Sequence, residues 1–180
     1  VGFRPEPNQS ELTRGGVRDL LQPHLKILFI GINPGLRSGA TGHHFAGRSN
    51  RFWRFLAEAG FTPSKYEAAK DFQLLDLDYG ITNIVSRVTA TAAELAPAEL
   101  RAGAEHLLAV LQEYQPTVAA YLGKVVYRYV ARRSHFAWGC QAESLVPEVI
   151  DFVMPNPSGL NRMPLPEQLE LYRELRLLSL

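Results

Sequence analysis

One cysteine, Cys140, stands in the 180 residues. A single thiol cannot build a disulfide framework within the chain, a zinc site of several thiolates or a four-cysteine cluster, so redox and iron–sulfur functions are set aside. Beside Trp138, Cys140 reads as a small buried apolar residue. Long apolar runs are missing as well. No stretch approaches the roughly eighteen residues of a membrane span, and residues 1–7 lack the apolar core of a signal peptide. The expectation is a cytoplasmic protein with no membrane partner. Acidic residues are absent over two stretches. Between Asp19 and Glu58 only Lys26, Arg37, Arg48, Arg51 and Arg54 carry fixed charge, and between Glu113 and Glu143 only Lys124, Arg128, Arg132 and Arg133. With a net charge of +1, such sorting suits a polyanion held locally, such as a few phosphates.

What is present suffices for an ordinary core, at 46% hydrophobic and 21% charged residues, and the length suits one compact domain. Residues 1–15, polar and containing Pro and Gly, read as a flexible arm, and residues 16–180 as a single domain. From there strand and helix patterns alternate. Short apolar runs at 26–31, 80–85, 117–123 and 149–154 read as strands. Helices are expected at 51–59, where Asn50 can cap and Gly60 terminate, at 97–114 from Pro97 to the stop at Pro116, at 124–133, and at 166–178. Such alternation predicts a three-layer α/β/α sandwich with a central, mainly parallel sheet of four or five strands. Ligands of such sheets sit beyond the carboxyl ends of the strands. The segments after Ile30, Val85, Leu122 and Met154 are therefore where function is sought.

The loop at 31–47, Gly31-Ile32-Asn33-Pro34-Gly35-Leu36-Arg37-Ser38 and onward, is rich in glycine and lets backbone N–H groups approach an anion or a planar ligand. It has neither the Gly-Lys-Ser/Thr of a nucleotide-phosphate loop nor a Gly-x-Gly-x-x-Gly, so triphosphate hydrolysis and nicotinamide chemistry drop out. The loop at 154–164 places Leu160 between Gly159 and Asn161 among turn residues. A leucine exposed there either packs back on the protein or enters something apolar, such as a base stack.

Together these segments resemble the mismatch-specific uracil and thymine DNA glycosylases of the uracil-DNA glycosylase superfamily, from about residue 25 to 177. The resemblance rests on Gly31-Ile32-Asn33-Pro34-Gly35-Leu36, on His43-His44-Phe45 followed by Asn50-Arg51-Phe52-Trp53, on Gly80-Ile81-Thr82-Asn83, on Tyr114-Gln115-Pro116 with Leu122-Gly123-Lys124, and on Asn156-Pro157-Ser158-Gly159-Leu160. It implies a monofunctional enzyme that flips uracil, or a related pyrimidine, opposite guanine from double-stranded DNA and hydrolyses its N-glycosidic bond, as a monomer and without metal or other cofactor.

By the same resemblance Asn33 positions the attacking water, Phe45 stacks on the base, and backbone amides around Ile32 and Phe45 meet its polar edge, with Gly35 permitting close approach. Leu160 fills the vacated gap, while Gly159 and Asn161 face the opposite guanine. Ser38, Asn156 and Ser158 lie near sugar and phosphates. Arg37, Arg48, Arg51 and Lys124 are candidate phosphate contacts on charge, with Arg128 beside them. His43 and His44 are candidates for base contact because they sit in the pocket loop. Three features depart from the relatives' pattern. Arg48-Ser49 replaces a small or proline-containing stretch. Asn83 stands where some bacterial relatives have lysine, and Asp78 adds a carboxylate. Asp78 is a second catalytic candidate, since a carboxylate can accept a proton or stabilise a cationic sugar. Its alternative is a solvated acid or a partner for Arg87. His24, His106 and His135 show no metal-ligand spacing. Two other classes compete: a lesion-binding module of the same fold that lacks catalysis, and a hydrolase of free nucleosides, which needs neither the Leu160 wedge nor the basic stretches.

Overall fold

The computed structural model describes residues 16–180; the expected arm, residues 1–15, lies outside the described residues. Five strands form one sheet: β1 (Ile27–Gly31), β2 (Tyr79–Asn83), β3 (Val118–Leu122), β4 (Gly139–Cys140) and β5 (Ile150–Met154), in the order β2-β1-β3-β5-β4. All neighbours are parallel except β4, which runs antiparallel to β5 at the edge. Five α-helices accompany them: α1 (Leu36–Thr41), α2 (Phe52–Glu58), α3 (Pro97–Tyr114), α4 (Lys124–Ala131) and α5 (Leu165–Leu177).

The strands are continuously apolar because both faces are covered. In β1, Leu28 and Ile30 enter one core with Leu100, Leu107 and Leu111 of α3 and Val126, Tyr127 and Val130 of α4. Ile27 and Phe29 enter the other, with Phe52, Phe55 and Leu56 of α2 and Tyr172 and Leu175 of α5. Ala119 and Tyr121 of β3 likewise part from Val118, Ala120 and Leu122. This period of two, read through a sheet with helices on each side, gives the three layers.

Local signals act mostly where expected. Asn50 Oδ1 accepts from Phe52 N at 2.9 Å at the start of α2, and Glu99 of α3 reaches back to Ala96 N at 2.8 Å, a first-turn bond that satisfies an otherwise orphaned donor. Three features are new. Helix α1 lies inside the segment expected to be loop, a 3₁₀ segment runs over Ala68–Leu77, and β4 closes the edge. Cys140, read as buried, is exposed there, because a two-residue edge strand has nothing packed over that side chain.

Candidate active site

The register aligns Gly31 with Asn83 and Leu122 with Met154, so the strands end nearly flush and their following loops meet. Between them lies a cavity of about 580 Å³. The structure brings to it twelve of the expected site residues: Ile32, Asn33, Gly35, Arg37, Ser38, His44, Phe45, Asn83, Asn156, Ser158, Leu160 and Asn161.

Asn33 is the most constrained of them. Its Nδ2 donates to the Arg87 carbonyl at 2.8 Å and to Thr89 Oγ1 at 2.7 Å, with the Pro34 carbonyl at 3.3 Å. Thr89 in turn donates its hydroxyl to the Thr91 carbonyl at 2.8 Å, leaving a lone pair for Asn33. A carbonyl can only accept, so the amide has one orientation. Its Oδ1 has no hydrogen-bond partner among the described residues and is left as an acceptor at the cavity. The 87–91 segment is itself tied down: Arg87 pairs with Glu99 at 2.7 Å, and the guanidinium, with the Ala96 amide, holds the Glu99 carboxyl down to about 2.

Phe45 has φ of 51°, a left-handed conformation that costs a non-glycine residue about 1–3 kcal/mol. Its neighbours compensate. His44 N donates to Asp71 Oδ2 at 2.9 Å, Ala46 N to Ser38 Oγ at 3.1 Å, and Trp53 Nε1 to the His44 carbonyl at 3.2 Å. The Phe45 ring rests on Phe52 with centroids 4.2 Å apart, and Phe52 meets Phe29 of the core edge-on at 5.2 Å. The ring is thus an anchored platform, and the Phe45 N–H, unlike its neighbours, has no hydrogen-bond partner among the described residues.

His44 is 2% exposed, and its Nε2 lies 2.8 Å from the Arg18 carbonyl, an acceptor that fixes the proton on Nε2. Burial pushes its pKa below the ordinary value, against the smaller raising effects of the Arg18 carbonyl and Asp71. His43 Nδ1 meets Asp71 Oδ1 at 3.2 Å, so one buried carboxylate organises both histidines. Across the cavity, a Cβ on Gly31 would sit 2.4 Å from Asn83 Oδ1. Glycine at that position lets the Asn83 amide lie against the end of β1.

The second wall is the 154–163 loop. Asn156 Oδ1 accepts from Ser158 N at 2.8 Å, Ser158 Oγ from Leu160 N at 3.2 Å, and Asn161 Nδ2 donates to the Asn156 carbonyl at 2.8 Å. Leu160 does not pack back on the protein; it is 87% exposed. Arg51 braces the loop from outside through the carbonyls of Gly159 and Asn161, each at 3.2 Å, and through its own N–H to the Pro157 carbonyl at 2.9 Å.

Several expectations need correction. Asp78 lies at the opposite end of the sheet: it is the left-handed residue (φ 61°) that closes the 3₁₀ segment before β2, its carbonyl accepts from Lys26 and Ile27, and its Oδ1 accepts from Gln22 at 3.3 Å. It meets neither the cavity nor Arg87, because a residue preceding a parallel strand is a strand's length from the loop that follows it. Lys124 is outside the cavity; its ammonium is held by the Phe136 carbonyl at 3.3 Å and lies 4.7 Å from the Trp138 ring centre. Arg48 lines a neighbouring cavity with Arg37, Lys65 and Tyr66. Gly159 packs on Ser49 rather than lining the cavity. Ser38, buried in the cavity wall, accepts the Ala46 N–H with its Oγ. The second acid-free stretch is spread along α4, with Arg132 and Arg133 beyond its far end, paired to Glu105 and Glu143.

Asp71 and Thr89 were missed. Nothing in the local pattern around Asp71 marks it, whereas Thr89 lies in the segment after the second strand, where the topology alone directs attention. Leu36, at the start of α1, is 61% exposed on the cavity rim.

Fold and cleft together define an α/β protein whose ligand site opens at the carboxyl edge of a parallel sheet, floored by an aromatic ring, polar at one wall and rimmed by exposed leucines. The family model of the Uracil DNA glycosylase superfamily matches residues 18–176, and the chain belongs to that superfamily. Membership links it to glycosylase chemistry on DNA. No helix among the described residues is long and apolar enough to cross a membrane.

Proposed function

We propose that the protein is a monofunctional DNA glycosylase that flips uracil, opposite guanine, out of duplex DNA and hydrolyses its N-glycosidic bond. The observation that carries this reading is the tethered amide of Asn33, whose nitrogen is consumed by Arg87 and Thr89 and whose oxygen is left to accept a hydrogen bond from water. An amide is too weak a base to take a proton in the ground state, so its contribution is orientation, holding the water oxygen for attack on C1′. The C1′–N1 bond breaks with its electron pair leaving on the pyrimidine, the water oxygen bonds C1′, and its proton passes to solvent or to the departing base. Products are an abasic site and free uracil.

The remaining groups divide the work. The Phe45 ring offers a stacking face, and the adjacent N–H can stabilise charge arriving on a pyrimidine oxygen; such preorganised donors are worth about 3 kcal/mol each in a dry site. The Asn83 amide, which both donates and accepts, suits the O4 and N3–H edge of uracil. Leu160 occupies the gap left by the flipped nucleotide, a role that fits its exposure, with Asn161 beside the opposite guanine. Ser158 and Asn156, whose hydroxyl hydrogen and Nδ2 are unspent in the loop's own bonds, with Arg37, face the backbone. No lysine lines the cavity, which favours hydrolysis by water over an imine to the protein. The protein is proposed to act as a cytoplasmic monomer on chromosomal DNA.

The test is an end-labelled duplex series, U:G, U:A, T:G and ethenocytosine:G, followed by alkaline cleavage. Excision from U:G in the presence of chelator, with no adduct trapped by borohydride, is expected. Tight binding of U:G with no excision would favour the lesion-binding module, and cleavage of free deoxyuridine in preference to DNA would favour the nucleoside hydrolase.

A further inference from the structure

Arg51 stands in an acid-free stretch and reads as a phosphate contact on charge alone. Its geometry gives it partners within the protein. Two guanidinium nitrogens, Nη1 and Nη2, are each directed at a backbone carbonyl of the 154–163 loop, Asn161 and Gly159 at 3.2 Å, and the Arg51 N–H reaches Pro157 at 2.9 Å. Gly159 sits so close to the same segment that a Cβ there would meet the Ser49 Cβ at 2.6 Å and its carbonyl oxygen at 2.8 Å. The two carbonyls bracket Leu160. The segment doing the bracketing begins four residues beyond Phe45 and leads directly into α2, whose Phe52 supports the Phe45 ring.

We propose that Arg51 is a positioning residue that joins the Leu160 loop to the Phe45 platform, so that wedge and base pocket move as one body, and that it does not bind a DNA phosphate. This rests on the glycosylase reading above. A planar guanidinium presents two separate nitrogens in a rigid fork to the two carbonyls, whereas the donors of an ammonium all sit on one nitrogen at the end of a flexible stem. With both carbonyls satisfied, the wedge loop is rigid before DNA arrives, and the ordering cost of inserting Leu160 is met in advance.

The experiment uses the full chain, wild type against Arg51→Lys, Leu160→Ala and the double variant, with Gly159→Ala as a second way of separating the loop from Ser49. Three quantities are read: backbone amide order parameters of residues 158–161 in the free protein, the single-turnover rate on a U:G duplex, and the slope of log affinity against log salt for that duplex. Arg51→Lys should lower the order parameters of 158–161 and reduce the rate about tenfold, and Gly159→Ala should do the same. The double variant should be no slower than Leu160→Ala, since a strut for a wedge that is gone has nothing left to hold. Lysine keeps the charge, so Arg51→Met completes the salt arm: its slope should equal wild type. A slope lower by about 0.9, the release expected from one lost phosphate contact, or rates that combine multiplicatively in the double variant, or unchanged order parameters, would overturn the proposal. Because the order parameters are measured without DNA, a wild type inactive on every uracil duplex would sink the glycosylase reading while the strut was still decided.

Discussion

In the 31–47 loop the functional groups are fixed by residues distant in sequence: Asn33 by Arg87 and Thr89, the flanks of Phe45 by Asp71 and Trp53, the His44 ring by Arg18. In the 154–163 loop most bonds close within the loop itself, Asn156 to Ser158 and Asn161, Ser158 to Leu160, with Arg51 bracing the tip from outside and Gln168 holding the Met163 carbonyl. The difference follows what each must present. A water-orienting oxygen and a stacking ring act only within a fraction of an ångström, so they are triangulated from several elements. A wedge needs exposure and a stiff tip, which a short chain of side-chain-to-backbone turns supplies. Remote substitutions should therefore disturb the first loop at several positions and the second chiefly at the Arg51 brace.

The largest effect is expected at the point of tightest constraint. Asn33→Ala should lower the single-turnover rate on U:G by about a thousandfold, in line with the loss of one preorganised catalytic group, with duplex affinity nearly unchanged. A rate within tenfold of wild type would remove Asn33 from the chemistry. Leu160→Ala comes next, at about 2 kcal/mol or roughly thirtyfold on duplex, comparable with unstacking one base step. The same loss on single-stranded uracil would show that Leu160 is not filling a gap.

Thr89→Val sharpens the comparison directly, because it removes one acceptor for Asn33 from fifty-six residues away without touching the cavity's shape by more than one group. A drop of about tenfold in rate is expected, equivalent to about 1.4 kcal/mol. An unaltered rate would mean that Arg87 alone holds the amide.

His44 yields a smaller effect, on stability. Burial depresses its pKa below the ordinary 6.5. As pH falls through 6.5 the unfolded chain takes up a proton that the folded chain refuses, so this residue subtracts stability from there down to its folded pKa and contributes no such penalty well above 6.5. His44→Gln, which keeps a donor for Arg18, should lose less Tm between pH 7.5 and 5 than wild type, by about 2–4 °C. Identical pH slopes would place the titration elsewhere. Smallest of all is Asp78→Asn: within about twofold of the wild-type rate, since the residue sits at the far end of β2. A tenfold loss, or about 1.4 kcal/mol, would require a route from that end of the sheet to the cavity.

The layers and the cleft's location were legible because their signals are local and redundant. Apolar runs bounded by glycine and proline marked β1, β2, β3 and β5 to within two residues, and strand–helix alternation leaves few topologies. Short or weakly patterned pieces were not. Helix α1, Leu36–Thr41, has two apolar residues among glycine, serine and threonine, the two-residue β4 is too brief to show a period, and the 3₁₀ segment lacks a clear stripe. Cys140 illustrates the same limit, since a cysteine's burial depends on what packs across an edge strand rather than on its neighbour Trp138.

By itself the sequence determined which chemistry is within reach: an amide and a ring after the first strand, an exposed leucine after the last, no thiolate cluster, no phosphate-binding lysine loop. Those follow from residue type and spacing along one strand–loop unit. Only the tertiary structure decided how the groups are used. It turned Asn33 so that its oxygen is free, recruited Asp71 to the backbone beside Phe45, moved Asp78 to the wrong end of the sheet and spent Arg51 on two carbonyls. The physical reason is that hydrogen bonds are directional and saturable. Which donors and acceptors remain unspent at a site depends on partners that the chain brings together from fifty or a hundred residues away.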